Sequence, residues 1–326
     1  MKKYSFKYDL NNILSNLLYS KIIFPSSKLA TYNLSKKFIE QPNFELQHIY
    51  RALEVIAKEN DFVQSELYKN SLKYSKRNTG ILYYDCTNYF LEIEQEEGLK
   101  QYGPSKEHRP NPIVQMGLFM DGDGIPLAFN ITSGNTNEQT TLTPTEKKIL
   151  NDFKLSKFIV CTDAGLASTA NRKFNDKQDR AFITTQSIKK LKKHLKDWAL
   201  DTTGWSVSGD YKKYDISKLE ETDEIKNKVF YKKRAIKENG LEQYLIVTYC
   251  LKYKNYQQRI RNNQIERAKK AIESKSIKLD KCNQNDYKRF VTKTSVTKDV
   301  EIAEGKILSL NLEHQHMFLI FFLPIP

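Results

Sequence analysis

The run Ile81–Phe90, ILYYDCTNYF, and its echo Lys157–Ser168, KFIVCTDAGLAS, decide the fold. Each is a short apolar stretch, rich in β-branched and aromatic residues and bounded by turn signals, which is the pattern of a buried strand. One carboxylate interrupts each run: Asp85 in the first, Asp163 in the second. An aspartate in a buried strand is costly unless its charge is paired or bound to a cation. Two such strands, 78 residues apart, predict a pair of carboxylates meeting at one metal site. The alternative is that buried lysines satisfy both.

Working outward, the β pattern of the first run continues through Phe90–Gln95, and Gly98–Pro112 reads as a polar loop carrying Lys106, His108 and Arg109. Ile113–Phe119 and Ile125–Ile131 flank Asp121-Gly122-Asp123-Gly124, a hairpin signal in which the two Asp read as turn formers. Asp85 is therefore expected on the first of three consecutive antiparallel strands. Gly134-Asn135-Thr136-Asn137-Glu138 leads to a helix near Thr143–Asp152, then to the Asp163 strand, with Gly165 placed where a backbone turn must begin. Ala181–Thr185 reads as a further strand and Ile188–Trp198 as a helix. This succession is an α/β layer order, with Asp85 mid-strand and Asp163 at the end of a neighbouring strand, where sites in open α/β sheets gather.

Residues 1–79 read as helical. Leu10, Ile13, Leu14, Leu17 and Leu18 recur at helical spacing, Ser26 or Ser27 caps a second helix, and Leu46, Ile49, Tyr50 and Leu53 form a third stripe. Residues 201–250 alternate polar and apolar positions and read as a β-rich insertion. Lys252–Lys293 holds 13 Lys and Arg against 4 Asp and Glu, enough excess charge to predict phosphate contact from a helix carrying Ile265, Ala268 and Ile272. Met317–Leu323, MFLIFFL, is an apolar run followed by Pro324-Ile325-Pro326. It reads as an aberrant tail or a final core strand, and the prolines would interrupt any continuing central strand.

The whole chain is 326 residues with a net charge of +14, which points to a polyanion partner, nucleic acid or an acidic membrane face. Hydrophobic content of 39%, with 19 Tyr and 17 Phe, is enough for a real core and excludes a disordered chain. The cysteines Cys86, Cys161, Cys250 and Cys282 are scattered, with no CxxC pair. That favours a cytoplasmic location over a disulfide scaffold or structural zinc. No apolar run reaches the roughly 20 residues of a spanning helix, so no membrane partner is expected.

YYDCTNYF, the GNTNE turn and IVCTDAG together resemble the DDE transposases of bacterial insertion sequences, in particular the branch with a β-rich insertion inside a ribonuclease-H-like core. The similarity runs from Pro25 to about Lys293. With the patterning it implies an α/β fold divided into a helical region 1–79, read either as a DNA-contacting module or as a helical lid with a solvated polar face, a ribonuclease-H-like core 80–200 and a β-rich insertion with a basic helix 201–306; beyond about Lys306 the resemblance stops, at the apolar tail 307–326. It implies that Asp85 and Asp163 hold Mg²⁺ or Mn²⁺ for phosphodiester cleavage and strand transfer. The expected partner is double-stranded DNA at the terminal inverted repeats of an element, with self-association on that DNA. Lys106, Arg109, Arg259, Arg261, Arg267, Lys269 and Lys270 would grip its backbone.

The sequence departs from the family at the third carboxylate, a Glu on a helix after the insertion in a context such as W-x-I-E. No such stretch is present. Glu266 lies on the basic helix behind Tyr256, Arg259 and Arg261, at a different spacing and within the insertion. The expectation is a C-terminally truncated or frameshifted transposase that either retains cleavage or survives as a DNA-binding remnant competing with intact copies. A ribonuclease-H-like nuclease unrelated to transposition is the remaining alternative.

Overall fold

Four helices precede the first strand: α1 Leu10–Ile23, α2 Lys28–Ser35, α3 Leu46–Lys58 and α4 Asn60–Ser71. The computed structural model of the chain describes residues 4–177, 179–274, 287–297, 304–310 and 319–324. Asp9 starts α1 by accepting from the Asn12 N–H at 3.1 Å, and Ser27 starts α2 by accepting from the Ala30 N–H at 3.2 Å. Both are side-chain N-caps. Ile13 and Leu17 pack with Phe44, Ile49 and Ala52, whereas Leu18 of the same stripe stays exposed.

The core strands are β1 Ile81–Phe90, β2 Ile113–Asp121, β3 Pro126–Ser133, β4 Phe158–Thr162 and β5 Arg180–Gln186, with α5 Leu142–Asp152 and α6 Thr169–Asn175 in the crossovers. They lie in the order β3-β2-β1-β4-β5. The first three are antiparallel and β4 and β5 join β1 in parallel, the ribonuclease-H-like arrangement. β1 ends at Phe90 rather than running on to Gln95. The Leu91 N–H bonds to Pro112, and the Ile93 N–H turns back to the Leu91 carbonyl, which bends the chain out of the sheet. The edge strand β3 is closed by a side chain of α4. Gln64 accepts from the Phe129 N–H at 2.6 Å and donates to the Phe129 carbonyl at 3.2 Å, replacing one rung of the missing neighbour strand.

After α7 Lys193–Leu200, which begins beyond a short 3₁₀ turn at Ile188–Lys190, come β6 Ser206–Val207, α8 Asp223–Lys226, β7 Val229–Glu238, β8 Leu241–Cys250 and α9 Leu251–Glu273. The final strands are β9 Val291–Thr297, β10 Glu304–Leu310 and β11 Leu319–Pro324. β9 and β10 form a separate hairpin. β11 lies between β5 and β8, antiparallel to both, and joins core and insertion into one nine-stranded sheet. It takes up Leu319–Leu323 of the apolar run and stops at Pro324. Residues 311–318 and 325–326 of the tail, Cys282, and residues 275–286 of the basic segment lie outside the described residues. Among the described residues, no helix is long and apolar enough to cross a membrane.

Helices α4 and α5 cover one face of the core sheet, where Tyr68, Leu82, Tyr84, Phe119, Ile149, Phe158 and Val160 are packed together. Glu146 of α5 is fully buried among them. Its carboxylate accepts from the Asn175 amide at 2.9 Å and stands 3.8 Å from the Arg180 guanidinium. Burial pushes its pKa up to about 7, although Asn175 and Arg180 pull it down. A carboxyl raised in the folded state contributes stability that is complete below the ordinary glutamate pKa and is lost as pH rises through about 7. Unfolding free energies from urea melts at about pH 5 and pH 8 should differ by on the order of 2 kcal/mol, and Glu146→Gln should flatten the difference.

Candidate functional site

β1 is amphipathic. Leu82, Tyr84, Cys86 and Asn88 point into the helix-covered face, while Ile81, Tyr83, Asp85 and Tyr89 lie on the open one. This corrects the reading of the Asp85 strand as buried. Helices cover only one side of it, so the carboxylate is solvated and needs no buried lysine. Asp163 is exposed as well, one residue beyond β4. Neither carboxylate is in an ion pair among the described residues.

The parallel register brings the two together. Tyr84 pairs with Thr162, so Asp85 and Asp163 are the next residues of adjacent strands. β4 stops there and β1 continues for six residues with β2 alone, which leaves a notch at the sheet's C-terminal edge. Asp85 Oδ1 accepts from the Cys86 N–H at 2.7 Å. Asp163 Oδ1 accepts from the Gly165 and Leu166 N–H groups at 3.0 and 3.1 Å, which fixes the carboxylate in a turn. Gly165 stands in a turn, as expected, and its backbone there is not left-handed. A side chain there would stand 3.3 Å from Asp163 Oδ1.

The inward residues on either side of Asp85 set its height in the sheet. Tyr84 Oη lies 2.7 Å and Cys86 Sγ 3.4 Å from Thr141 Oγ1, just before α5, and burial pushes both the phenol and the thiol up. The charges of Glu138 and Asp85 add to the rise at Cys86. Gly117 of β2 makes room for this arrangement, since a Cβ there would lie 1.9 Å from Tyr84 Oη.

Lys106 is the one cationic residue expected at DNA that the structure brings to the notch. Its ammonium donates to the Cys86 carbonyl, and its N–H donates to Asn88 Oδ1 at 3.1 Å while Asn88 donates to the Pro104 carbonyl at 3.0 Å. Arg109 instead stacks on Phe90, 5.0 Å from the ring centroid. Arg259, Arg261, Arg267, Lys269 and Lys270 all lie on α9, in contact with β8 and β10 and away from β1 and β4. Arg259, Arg267 and Lys270 share one exposed face of that helix, whereas Lys269 pairs with Glu266 at 3.0 Å and Arg261 is half-buried. Glu266 is thus a surface partner of Lys269 and no companion of the two aspartates. Among the described residues, no group of three or more His, Cys, Asp or Glu is placed to hold a metal ion.

The sequence reading missed two features behind the site. Asn171 of α6 is buried against the turn after Asp163, and Glu146 lies behind α6. Glu146 had a signal, since Leu142, Glu146 and Ile149 fall on one helical stripe and mark a core position.

Residues 90–265 match a family model described as the transposase DDE domain, more than half of the chain. The chain belongs to the DDE transposase family. The matched segment contains Asp163 and begins five residues after Asp85. Among solved structures the chain is similar to a piggyBac transposase synaptic complex with hairpin DNA, at 9% identity and a TM-score of 0.36 over 74% of this chain and 49% of that one. It is also similar to the Mos1 transposase paired-end complex with the left transposon end, at 12% identity and a TM-score of 0.21 over 53% and 58%. The chain thus spans about half the length of these solved transposases. No curated protein matches it.

Proposed function

We propose that this DDE-domain chain acts in DNA transposition by divalent-metal-dependent phosphodiester cleavage and strand transfer, with Asp85 and Asp163 as the acidic pair. The observation that supports the reading is the register, in which Asp85 and Asp163 directly follow the paired Tyr84 and Thr162 of adjacent strands. Their donor set fits Mg²⁺ or Mn²⁺. In each aspartate Oδ1 is held by backbone N–H groups and Oδ2 is left without a hydrogen-bond partner among the described residues. Hard cations of this kind take a few carboxylate oxygens and keep several waters. Such an ion, when bound, stabilises charge on the attacking and leaving oxygens of a phosphodiester displacement. Lys106, held to β1 beside Asp85, supplies a fixed cation for a DNA phosphate at the same notch.

Incubating the chain with duplex DNA that carries the terminal inverted repeats of its element, with and without Mn²⁺, tests this. Metal-dependent nicking supports cleavage, and intact DNA under all conditions rejects it. A second reading, a DNA-binding chain without cleavage that competes with intact copies, is favoured by the absence of a third acid grouped with Asp85 and Asp163 among the described residues.

Both readings share one prediction. The Arg259, Arg267 and Lys270 face of α9 contacts DNA backbone, so binding weakens as salt rises. Replacing all three by alanine should lower the slope of log K against log salt by roughly 2 to 3, at about 0.9 per lost phosphate contact. Fluorescence anisotropy over a salt series measures it; an unchanged slope would remove α9 from the interface.

A further inference from the structure

Asn171 makes contacts that no helix needs. The residue is 5% exposed, and its single side chain is shared by three segments. Nδ2 donates to the Leu166 carbonyl and to the Gln139 carbonyl, each at 3.0 Å, and Oδ1 accepts from the Thr143 hydroxyl at 3.3 Å. Leu166 closes the turn in which Asp163 Oδ1 is held. Gln139 follows Glu138, whose charge is felt at Cys86 beside Asp85. Thr143 lies in the first turn of α5, two residues after Thr141, whose hydroxyl meets Tyr84 and Cys86. One amide therefore connects the turn of the second aspartate to the elements that set the first.

We infer that Asn171 is a positioning residue for the acidic pair, fixing the Asp163 carboxylate relative to Asp85 through the Leu166 and Gln139 carbonyls. The inference rests on the proposed reading of Asp163 as a metal ligand, and it explains how a carboxylate on an exposed turn is held still. Asn171 Nδ2 bonds carbonyls of two separate segments, the turn after Asp163 and the 3₁₀ turn before α5. Shortening the side chain would free both carbonyls and leave the Thr184 hydroxyl, which donates to the Asp163 carbonyl at 3.2 Å, as the remaining side-chain tie of the turn to the sheet. An outer group that orients a metal-binding carboxylate is commonly worth about 10-fold or more in metal affinity.

Asn175, one turn further along α6, is an internal control. It is also buried, but it donates to Glu146 and to the Asn171 carbonyl and makes no hydrogen bond to the Asp163 turn among the described residues. Amide exchange at Gly165 and Leu166, whose N–H groups bind Asp163 Oδ1, reads the turn directly and needs no metal. Asn171→Ala should speed exchange at these two amides by about 10-fold, from the loss of local protection. Asn175→Ala should leave them unchanged even if its melting temperature falls further. If Asn171→Ala does not fold, Asn171→Ser serves in its place, since its hydroxyl cannot span both carbonyls. Mn²⁺ titration followed by electron paramagnetic resonance supplies the second arm, with Asp163→Asn alongside. Weaker Mn²⁺ binding in Asn171→Ala and unaltered binding in Asn175→Ala support the inference. Unchanged exchange at Gly165 and Leu166 overturns it. Faster exchange combined with Mn²⁺ binding that ignores Asp163→Asn overturns the metal-ligand reading instead, and with it the role in metal binding.

Discussion

Asp85→Asn is expected to lower Mn²⁺-dependent nicking of end-bearing DNA by about 10³-fold or more while DNA binding stays within about twofold. The substitution keeps size and shape. It removes one negative charge and one hard oxygen from the notch beyond Tyr84 and Thr162, where β1 runs on alone. Because Asp85 lies on the open face and makes no ion pair among the described residues, the fold should tolerate the change, with stability altered by less than about 0.5 kcal/mol. Asp163→Asn is the companion. Its amide oxygen can still accept from the Gly165 and Leu166 N–H groups, so the turn persists while the charge is gone. Equal loss of nicking in both variants, with equal melting temperatures, would place the chemistry at this pair. Nicking that survives either change would move it elsewhere. Wild-type Mn²⁺ binding that disappears in both variants, without nicking in any of them, would leave a DDE domain that holds metal and DNA but does not cut.

Much of this site could be read from residue order. Two short apolar runs each carrying one aspartate, with a DGDG hairpin between them, are enough to place Asp85 and Asp163 on neighbouring strands. Alternation along β1 was harder to see, because its open face carries Ile81, Tyr83 and Tyr89, which are as apolar as the Leu82, Tyr84 and Cys86 beneath them. Composition cannot separate two faces that are both hydrophobic, so an aspartate on the open face looked buried. The contact of Lys106 with Cys86 depends on how a 22-residue connection from Phe90 to Ile113 folds back, for which the sequence carries no local periodicity. The cations of α9 were legible as a helix face, but their distance from the acidic pair was not, since it follows from the placement of β11 between β5 and β8. Asp121 is the clearest case of a residue read correctly but incompletely. It forms the turn as expected, accepting from the Asp123 and Ile125 N–H groups. It is also completely buried against an arginine 44 residues away.

That pair leads to the largest stability effect expected in the molecule. Arg77 Nε donates to Asp121 Oδ2 at 2.5 Å, and the other guanidinium nitrogens reach Ser71 Oγ at 3.0 Å and the Ile125 and Pro126 carbonyls at 3.2 and 3.0 Å. One side chain thereby fastens the end of the helical region to the β2–β3 hairpin. Arg77→Ala leaves a charged Asp121 without its partner in the core, together with the two carbonyls, and should cost about 3–5 kcal/mol. Removing both groups, as in Arg77→Met with Asp121→Leu, should cost much less than the single change, because no buried charge is stranded, although the turn contacts of Asp121 go with it. The two states of the carboxyl fix the pH dependence. Burial pushes the Asp121 pKa up, but Arg77 and the two turn N–H groups outweigh it and hold the group below its usual range. A depressed carboxyl contributes stability above its unfolded pKa of about 3.9 and loses it as pH falls through the lower folded value. Wild type should therefore lose this contribution only below about pH 4, whereas in Arg77→Ala acid should relieve the stranded charge and narrow the gap between the two proteins. Urea melts of both at neutral pH and near pH 3.5 measure that gap. A constant difference would mean that Arg77 acts by packing alone. A shrinking one would identify the charge pair as the clasp that holds Asp121, and with it Leu82 opposite on β1, in register with the strand that carries Asp85.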